Sequence, residues 1–282
     1  MKRTLISSSV TTAAMMAILC FAPIAFTSAA AQTGAGAGAA PAKTTPAGAV
    51  PRTADGHPDL SGVWWPGHDN SVPPLGTPVN ATPTPPQRPS SFTSLYQPWA
   101  MEKRKTLGDK DDPSLRCVPV AFGTLNVSLW GLGFLGQIVQ TPKFVVMLTE
   151  TYQSFRIIPT DGRRHRDDVA PSFRGDSVGH WEGDTLVVDE TNFADTNWMF
   201  AEGNVSFHSD ALHIVERYRR VDANTLEVEA SVEDPKVLTG SWTVPKQTLL
   251  LAPFDQIMEV GCTGTETASL IDAAAKQNYG RK

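Results

Sequence analysis

Glu150, Tyr152 and Arg156 occupy even-numbered positions of one apolar segment. Alternate residues of a strand face the same side, so this spacing predicts that the three side chains share one face of a strand from Phe144 to Ile158. Inside a barrel, a carboxylate, a phenol and a guanidinium could move a proton and hold a developing anion. Facing solvent, they would form only a weak ion pair.

A second segment, Leu212 to Arg220, has the same layout, with Glu216 and Tyr218 on one face and His213 on the other. Two such strands could line one pocket, in which Glu150 or His213 moves the proton. Equally, Glu216 could form a structural ion pair with an arginine across the sheet. The segment therefore supplies both catalytic and substrate-binding candidates.

Aromatic and histidine side chains could bind a hydrophobic or aromatic ligand. The indole candidates are Trp64, Trp181, Trp198 and Trp242, with Trp181 and Trp198 the first choices. His180 and His208 are further candidates, and with His213 and a carboxylate they could form a metal or proton-transfer site. No His-x-His or His-x-x-x-His spacing supports metal binding, so we expect neither a metal nor another cofactor.

The stretch from Asp161 to Asp176 is crowded with charge, including Arg163, Arg164 and Arg166. It could be a lid over one end of a barrel or simply a charged connection.

Two similar hairpin signals indicate the architecture. Gly183-Asp184 and Ala223-Asn224 are turn residues, and each pair leads into Thr-Leu-x-Val. Further strands are predicted at 137–140, 144–158, 177–182, 185–192, 212–220, 226–233, 240–244, 248–251 and 257–262. Short links between so many strands predict a mainly β fold, an antiparallel meander closing into a lipocalin-like barrel without long unpaired edges. One helix is expected from Pro98 to about Leu107 and another after Thr267.

The chain begins like a secretory precursor. Lys2 and Arg3 precede an apolar run and the small residues Ser28 to Ala31, which predicts a signal peptide over residues 1–31 and a periplasmic or secreted protein. A membrane anchor is the alternative, but the run is short and Pro23 interrupts it. A flexible linker at 32–54, one barrel domain at 55–265 and a tail at 266–282 complete the predicted organisation.

Cys117 and Cys262 remain after removal of the signal. Export to an oxidising compartment predicts that they form a disulfide, and two separate buried thiols are the alternative.

The charge balance narrows the range of partners. The formal net charge is −5, and losing Lys2 and Arg3 with the signal makes it −7. A negative chain without a basic stripe is a poor partner for nucleic acid or for an anionic membrane surface. The chain also lacks Gly-x-Ser-x-Gly, phosphate-loop, dinucleotide-binding and His-Glu-x-x-His motifs, which argues against those enzyme classes.

Several motifs together are similar to a family of uncharacterised exported bacterial proteins. They lie at 55–64, 116–119, 137–142, 179–189, 208–220 and 233–235, so the resemblance covers most of the chain after Asp55. Gly62-Val63-Trp64 also resembles the motif that opens the first strand of lipocalin-type barrels. The resemblance implies export and a β-rich fold, and it carries over no catalytic residue.

Two functions are consistent with these features. The first is a cofactor-independent lyase or isomerase acting on a small hydrophobic or aromatic molecule, with acid–base chemistry at the residues above. The second is a non-catalytic carrier of such a molecule.

Overall fold

The structure is a computed structural model, and it describes residues 48–66, 92–122, 136–150, 154–199, 205–258 and 262. These residues belong to one compact unit, Thr45–Lys282. The predicted signal peptide, the C-terminal helix and Tyr152 lie outside the described residues. Of the predicted linker, residues 48–54 are described, and Arg52 within them forms a double hydrogen bond with Asp184.

Nine antiparallel strands make up the sheet of the described part. They are β1 Gly62–Trp65, β2 Gly136–Gln140, β3 Phe144–Thr149, β4 Phe155–Pro159, β5 Asp176–Glu182, β6 Thr185–Thr191, β7 His213–Arg220, β8 Thr225–Glu233 and β9 Trp242–Leu251. Their hydrogen-bonded order is β4-β3-β2-β1-β9-β8-β7-β6-β5. Strands that follow one another in the chain are thus neighbours in the sheet, except β4 and β5, and β1 also pairs with β9. The predicted mainly β, barrel-like fold is confirmed.

The barrel is nearly but not fully closed. Its two edge strands, β4 and β5, lie side by side but are not joined by a ladder of hydrogen bonds. We call this gap the seam. A Cβ on Gly179 of β5 would come within 2.9 Å of Ile158 Cγ2 on β4. The missing side chain lets the two edge strands pack closely, so the seam is held by side-chain contact.

Alternation explains which residues form the core. In β8, Leu226, Val228 and Val232 are buried, whereas Glu229 and Glu233 face solvent. The turn between β5 and β6 uses Gly183 at φ +60°, a left-handed conformation that glycine adopts without strain. Both predicted hairpins are present.

The predicted continuous strand from Phe144 to Ile158 is wrong, because this segment forms a hairpin. Leu148 of β3 pairs with Phe155 of β4, and the Thr149 amide donates to the Ser154 carbonyl at 2.9 Å. Reversal of the chain changes which positions face inward. In β3 the odd-numbered Met147 is buried, and in β4 the even-numbered Arg156 is buried. Glu150 and Arg156 therefore do not lie on one face.

The last predicted strands also differ. Residues 240–244 and 248–251 were expected as separate strands, but β9 is continuous, with a register shift opposite Val228 and Ala230 that accommodates Pro245. Ile257 and Met258 lie outside any strand.

A helix, α1 at Pro98–Thr106, packs on the barrel through Ala100, as predicted for this segment. Cys117 and Cys262, 145 positions apart, form a disulfide with a Cα–Cα distance of 5.7 Å. Trp64 of β1 is fully buried, and its indole lies under the Arg220 guanidinium at 5.1 Å. No helix in the described part is long and apolar enough to span a membrane.

Candidate functional site

A buried network of charged groups lies inside the barrel, where β4, β6 and β7 face one another. Arg156 contacts Glu190 through one guanidinium nitrogen and donates through the other to Glu216 Oε2 at 2.5 Å. The same nitrogen lies 3.2 Å from Tyr218 Oη, and Tyr218 in turn donates to Glu216 Oε2 at 2.7 Å. All four side chains are buried, so the charges are compensated by one another rather than by water.

Burial and the neighbouring charges together set the ionisation of this network. Burial works to lower the pKa of Arg156, but Glu216 and Tyr218 outweigh it, and the pKa is raised. The pKa of Tyr218 is raised well above its ordinary value, mainly by burial and then by the Glu216 charge. Tyr218 is therefore a neutral hydrogen-bond donor. Glu216 Oε1 is buried and accepts no hydrogen bond from the described residues, which leaves one carboxylate oxygen with unused capacity.

A pocket of about 450 Å³ opens at the seam, on the outside of the same region. Its lining combines apolar, polar and cationic groups: Phe155, Arg156, Ile157, Pro159, Arg163, Arg164, Arg166, Ser172, Arg174, Gly175, Asp176, Ser177 and Val178. Five of these thirteen residues are arginines, in a chain whose net charge is −5. Positive charge is therefore concentrated at this pocket against the sign of the whole chain.

The exposed arginines of the lining differ in what they bind. Arg163 pairs with Asp161, using Nε at 2.9 Å and a terminal nitrogen at 2.6 Å. Arg166 uses its Nε, at 2.7 Å, and a terminal nitrogen to bind Asp176. By contrast, Arg164 has no hydrogen bond or ion pair with the described residues. Its guanidinium is exposed and remains available to a ligand.

Arg174 adds a cation to the pocket wall itself. Its side chain is buried, and one terminal nitrogen donates to Ser154 Oγ. Arg174 lies in the loop just before β5, and therefore at the seam between the two edge strands.

The arginine-bearing loop is fixed to the outer wall through His165. Its Nδ1 lies 3.1 Å from Asp176 Oδ2 on β5, and its Nε2 lies 2.7 Å from Asp189 Oδ1 on β6. Burial opposes ionisation of both carboxyls. Hydrogen bonds from Arg166 and His165 nonetheless lower the pKa of Asp176, and those from His213 and His165 lower the pKa of Asp189. The loop is thus a held part of the pocket rather than a loose connection.

The predicted catalytic residues do not form one site in the structure. Arg156 lies in the buried network together with Glu216 and Tyr218. Glu150 lies outside it and accepts from the Met258 amide at 2.7 Å. His213 lies on the outer wall, with Nε2 3.0 Å from Asp189 Oδ2, and Tyr152 is outside the described residues.

The predicted binding residues are also separated from one another. Trp198 is buried in the core, and Trp181 stacks on His57 with ring centres 4.5 Å apart. His180 is exposed beside Glu182. His208 is buried between Asn197 and the Ser209 carbonyl, where burial lowers its pKa. Within the part of the chain that the structure describes, no tryptophan and none of these histidines lines the seam pocket.

Several site residues were not singled out from the sequence. Glu190 shares the inward face of β6 with Leu186 and Val188. The alternation of these even-numbered positions is the sequence signal that could have identified it. Arg164 belongs to the charged stretch that was considered as a lid, whereas nothing in the sequence tied Arg174 to β4.

Among the described residues, no three His, Cys, Asp or Glu side chains are grouped so that they could hold a metal ion. No family model matches this chain, and neither the curated proteins nor the solved structures contain a match. The resemblance to exported bacterial proteins therefore stays a prediction, and function has to be argued from the geometry above.

Proposed function

We propose that this protein is an exported small-molecule-binding protein whose ligand lies in the seam pocket. The observation that carries the proposal is the pocket itself, because about 450 Å³ lies within the usual volume range of ligand sites. The barrel interior is a weaker candidate, since its inward-facing side chains pack as core.

The apolar wall of the pocket fits a hydrophobic or aromatic molecule. Phe155 and Ile157 are 59% and 56% exposed, although both are large apolar residues. They lie next to Pro159 on β4 and open onto the pocket. A bound ring would cover apolar surface that otherwise faces water, and this is favourable in proportion to the area buried.

Export and the absence of a nucleic-acid or membrane partner belong to the same proposal. The N-terminal segment has the pattern of a signal peptide, and the Cys117–Cys262 bridge is compatible with an oxidising compartment. The negative net charge disfavours polyanionic partners.

Binding is tested by titrating the protein, purified without its signal segment, with a panel of two-ring aromatic compounds in a calorimeter. Phe155→Ser should weaken binding by roughly three- to tenfold, because an aromatic contact is lost. Phe254→Ser is the matched control, since Phe254 is 43% exposed but lies outside the pocket lining. Absence of binding by every compound, or equal loss in both variants, would contradict the proposal.

An acid–base enzyme, a lyase or isomerase without a cofactor, is the second candidate. It is favoured by Glu216, whose buried Oε1 accepts no hydrogen bond from the described residues while Tyr218 donates to Oε2. Arg156 connects Glu216 and Tyr218 to the pocket, because it binds Glu216 and also lines the pocket. A carboxylate with a free oxygen beside a phenol is suited to proton transfer.

Native mass spectrometry separates the two candidates after incubation with an extract of aromatic and terpenoid compounds. A carrier returns its ligand unchanged. A lyase gives a new product mass, and an isomerase gives a product of unchanged mass that chromatography of the released compounds separates from the substrate. Either product should disappear in Glu216→Gln and persist in Glu150→Gln, because Glu150 lies outside the network. Circular dichroism shows whether each variant is folded. Product formation that survives Glu216→Gln in a folded protein would exclude this network as the catalytic group.

A further inference from the structure

We infer that the ligand of the seam pocket is an amphipathic organic acid, with a singly charged carboxylate held by Arg164 and an apolar body against Phe155 and Ile157. This inference rests on the proposed function and adds the chemical class of the ligand.

The charge on the head group follows from which cations are already neutralised. Arg163 is paired with Asp161, and Arg166 with Asp176. Arg156 is held by Glu190 and Glu216 inside the barrel. Arg174 is buried and donates to Ser154 Oγ. Arg164 is exposed and has no such partner among the described residues, so its guanidinium is available to an external anion.

A second negative charge on the ligand would be unfavourable. The Asp176 carboxylate is itself part of the pocket wall, and its pKa is lowered by the hydrogen bonds from Arg166 and His165 despite its burial. It is therefore ionised at neutral pH and keeps Arg166 paired, so this guanidinium does not compensate the second charge of a dianion such as a phosphate ester. A monoanion needs only the attraction of Arg164.

The shape of the cation is suited to a carboxylate. A guanidinium presents its N–H groups as a planar fork that matches the two oxygens of a carboxylate. Phe155, Ile157 and Pro159 of the lining lie on β4, whereas the loop that carries Arg164 is bound to Asp176 of β5 through His165 and Arg166. A molecule that spans the pocket would therefore meet a cation at one end and an apolar wall at the other.

The test compares 2-naphthoate with 2-naphthamide, which has the same ring but no charge. Calorimetry on the wild-type protein should show the acid binding about tenfold or more tightly, the size expected for a charge-assisted hydrogen bond. Arg164→Gln should remove this preference and leave amide binding unchanged. Arg219→Gln, at an exposed arginine paired with Glu227 on the outer wall, should keep it.

The outcomes separate the inference from the function beneath it. Equal binding of acid and amide, both weakened by Phe155→Ser, would overturn the inference and leave the binding function standing. Competition by inorganic phosphate as strong as that by 2-naphthoate would also overturn it, because the site would then recognise bare anions. If neither compound nor any other of the panel bound, the proposed function itself would fail.

Discussion

Arg156 and Arg164 line the same pocket eight positions apart, yet their surroundings are opposite. Arg156 is 4% exposed and contacts two carboxylates and a phenol. Arg164 is exposed and has no partner among the described residues. The difference shows that charge in a pocket is not by itself a sign of function. A guanidinium whose charge is already compensated stabilises the fold, whereas one without a partner can bind a ligand.

The comparison also explains how the Arg156 guanidinium can be buried inside the barrel. A buried guanidinium is costly unless its charge and hydrogen-bonding groups are satisfied. Glu190 on β6 and Glu216 on β7 reach Arg156 across the interior from the opposite side of the seam. The network therefore connects β4 to the sheet half that contains β5, where no ladder of hydrogen bonds does so.

The largest expected effect is that of Arg156→Met, a change of similar volume without the charge. It leaves Glu190 and Glu216 buried without their counter-ion, and breaking such a pair costs about 3–5 kcal/mol. The free energy of unfolding in urea measures the loss. Arg219→Met is the matched control at an exposed pair, where we expect a change of no more than about 1 kcal/mol.

A rescue variant sharpens this prediction. Adding Glu190→Gln and Glu216→Gln to Arg156→Met removes the uncompensated carboxylates, so most of the lost stability should return. An Arg156→Met protein as stable as the wild type would show that the network does not hold the seam.

The strand pattern was the part of the fold that could be predicted from sequence. The Gly183-Asp184 turn and the alternation of Glu229 and Glu233 with buried residues are local features, and local features determine hairpins and their faces. The prediction of one continuous strand over 144–158 failed because the apolar residues of this segment lie on both sides of a chain reversal. Alternation alone does not show such a reversal when no glycine–asparagine or proline turn marks it.

The site was predictable only in part. Glu216, Tyr218 and Arg156 were identified as candidates for a pocket. Glu216 does pair with an arginine, as the alternative had it, but across the barrel interior rather than between neighbouring strands. The pocket was not predictable, because it depends on β4 and β5 meeting at the seam and on a loop fixed by His165. Such contacts join residues whose sequence spacing carries no periodic signal.

The smallest expected effect concerns acid pH and the loop that carries Arg164. The pKa of Asp176 is lowered in the fold, since the hydrogen bonds from Arg166 and His165 outweigh burial. Its contribution to stability is therefore fully present above the pKa of an unfolded aspartate, near pH 4, and is lost as pH falls through the lower folded value. Asp176→Asn should be less stable than wild type at neutral pH, and the difference should shrink below about pH 4.

Asp161→Asn provides the control for this pH dependence. The side-chain hydrogen bond from Arg163 lowers the pKa of Asp161 to about 2, but the pair is exposed and its members are two positions apart. Such a local pair can also form in the unfolded chain, so it changes the free energy of unfolding little. Thermal unfolding of the three proteins from neutral to acid pH measures both effects. If Asp176→Asn followed the wild-type curve at every pH, Asp176 would not fix the loop, and Arg164 would need another means of being held at the pocket.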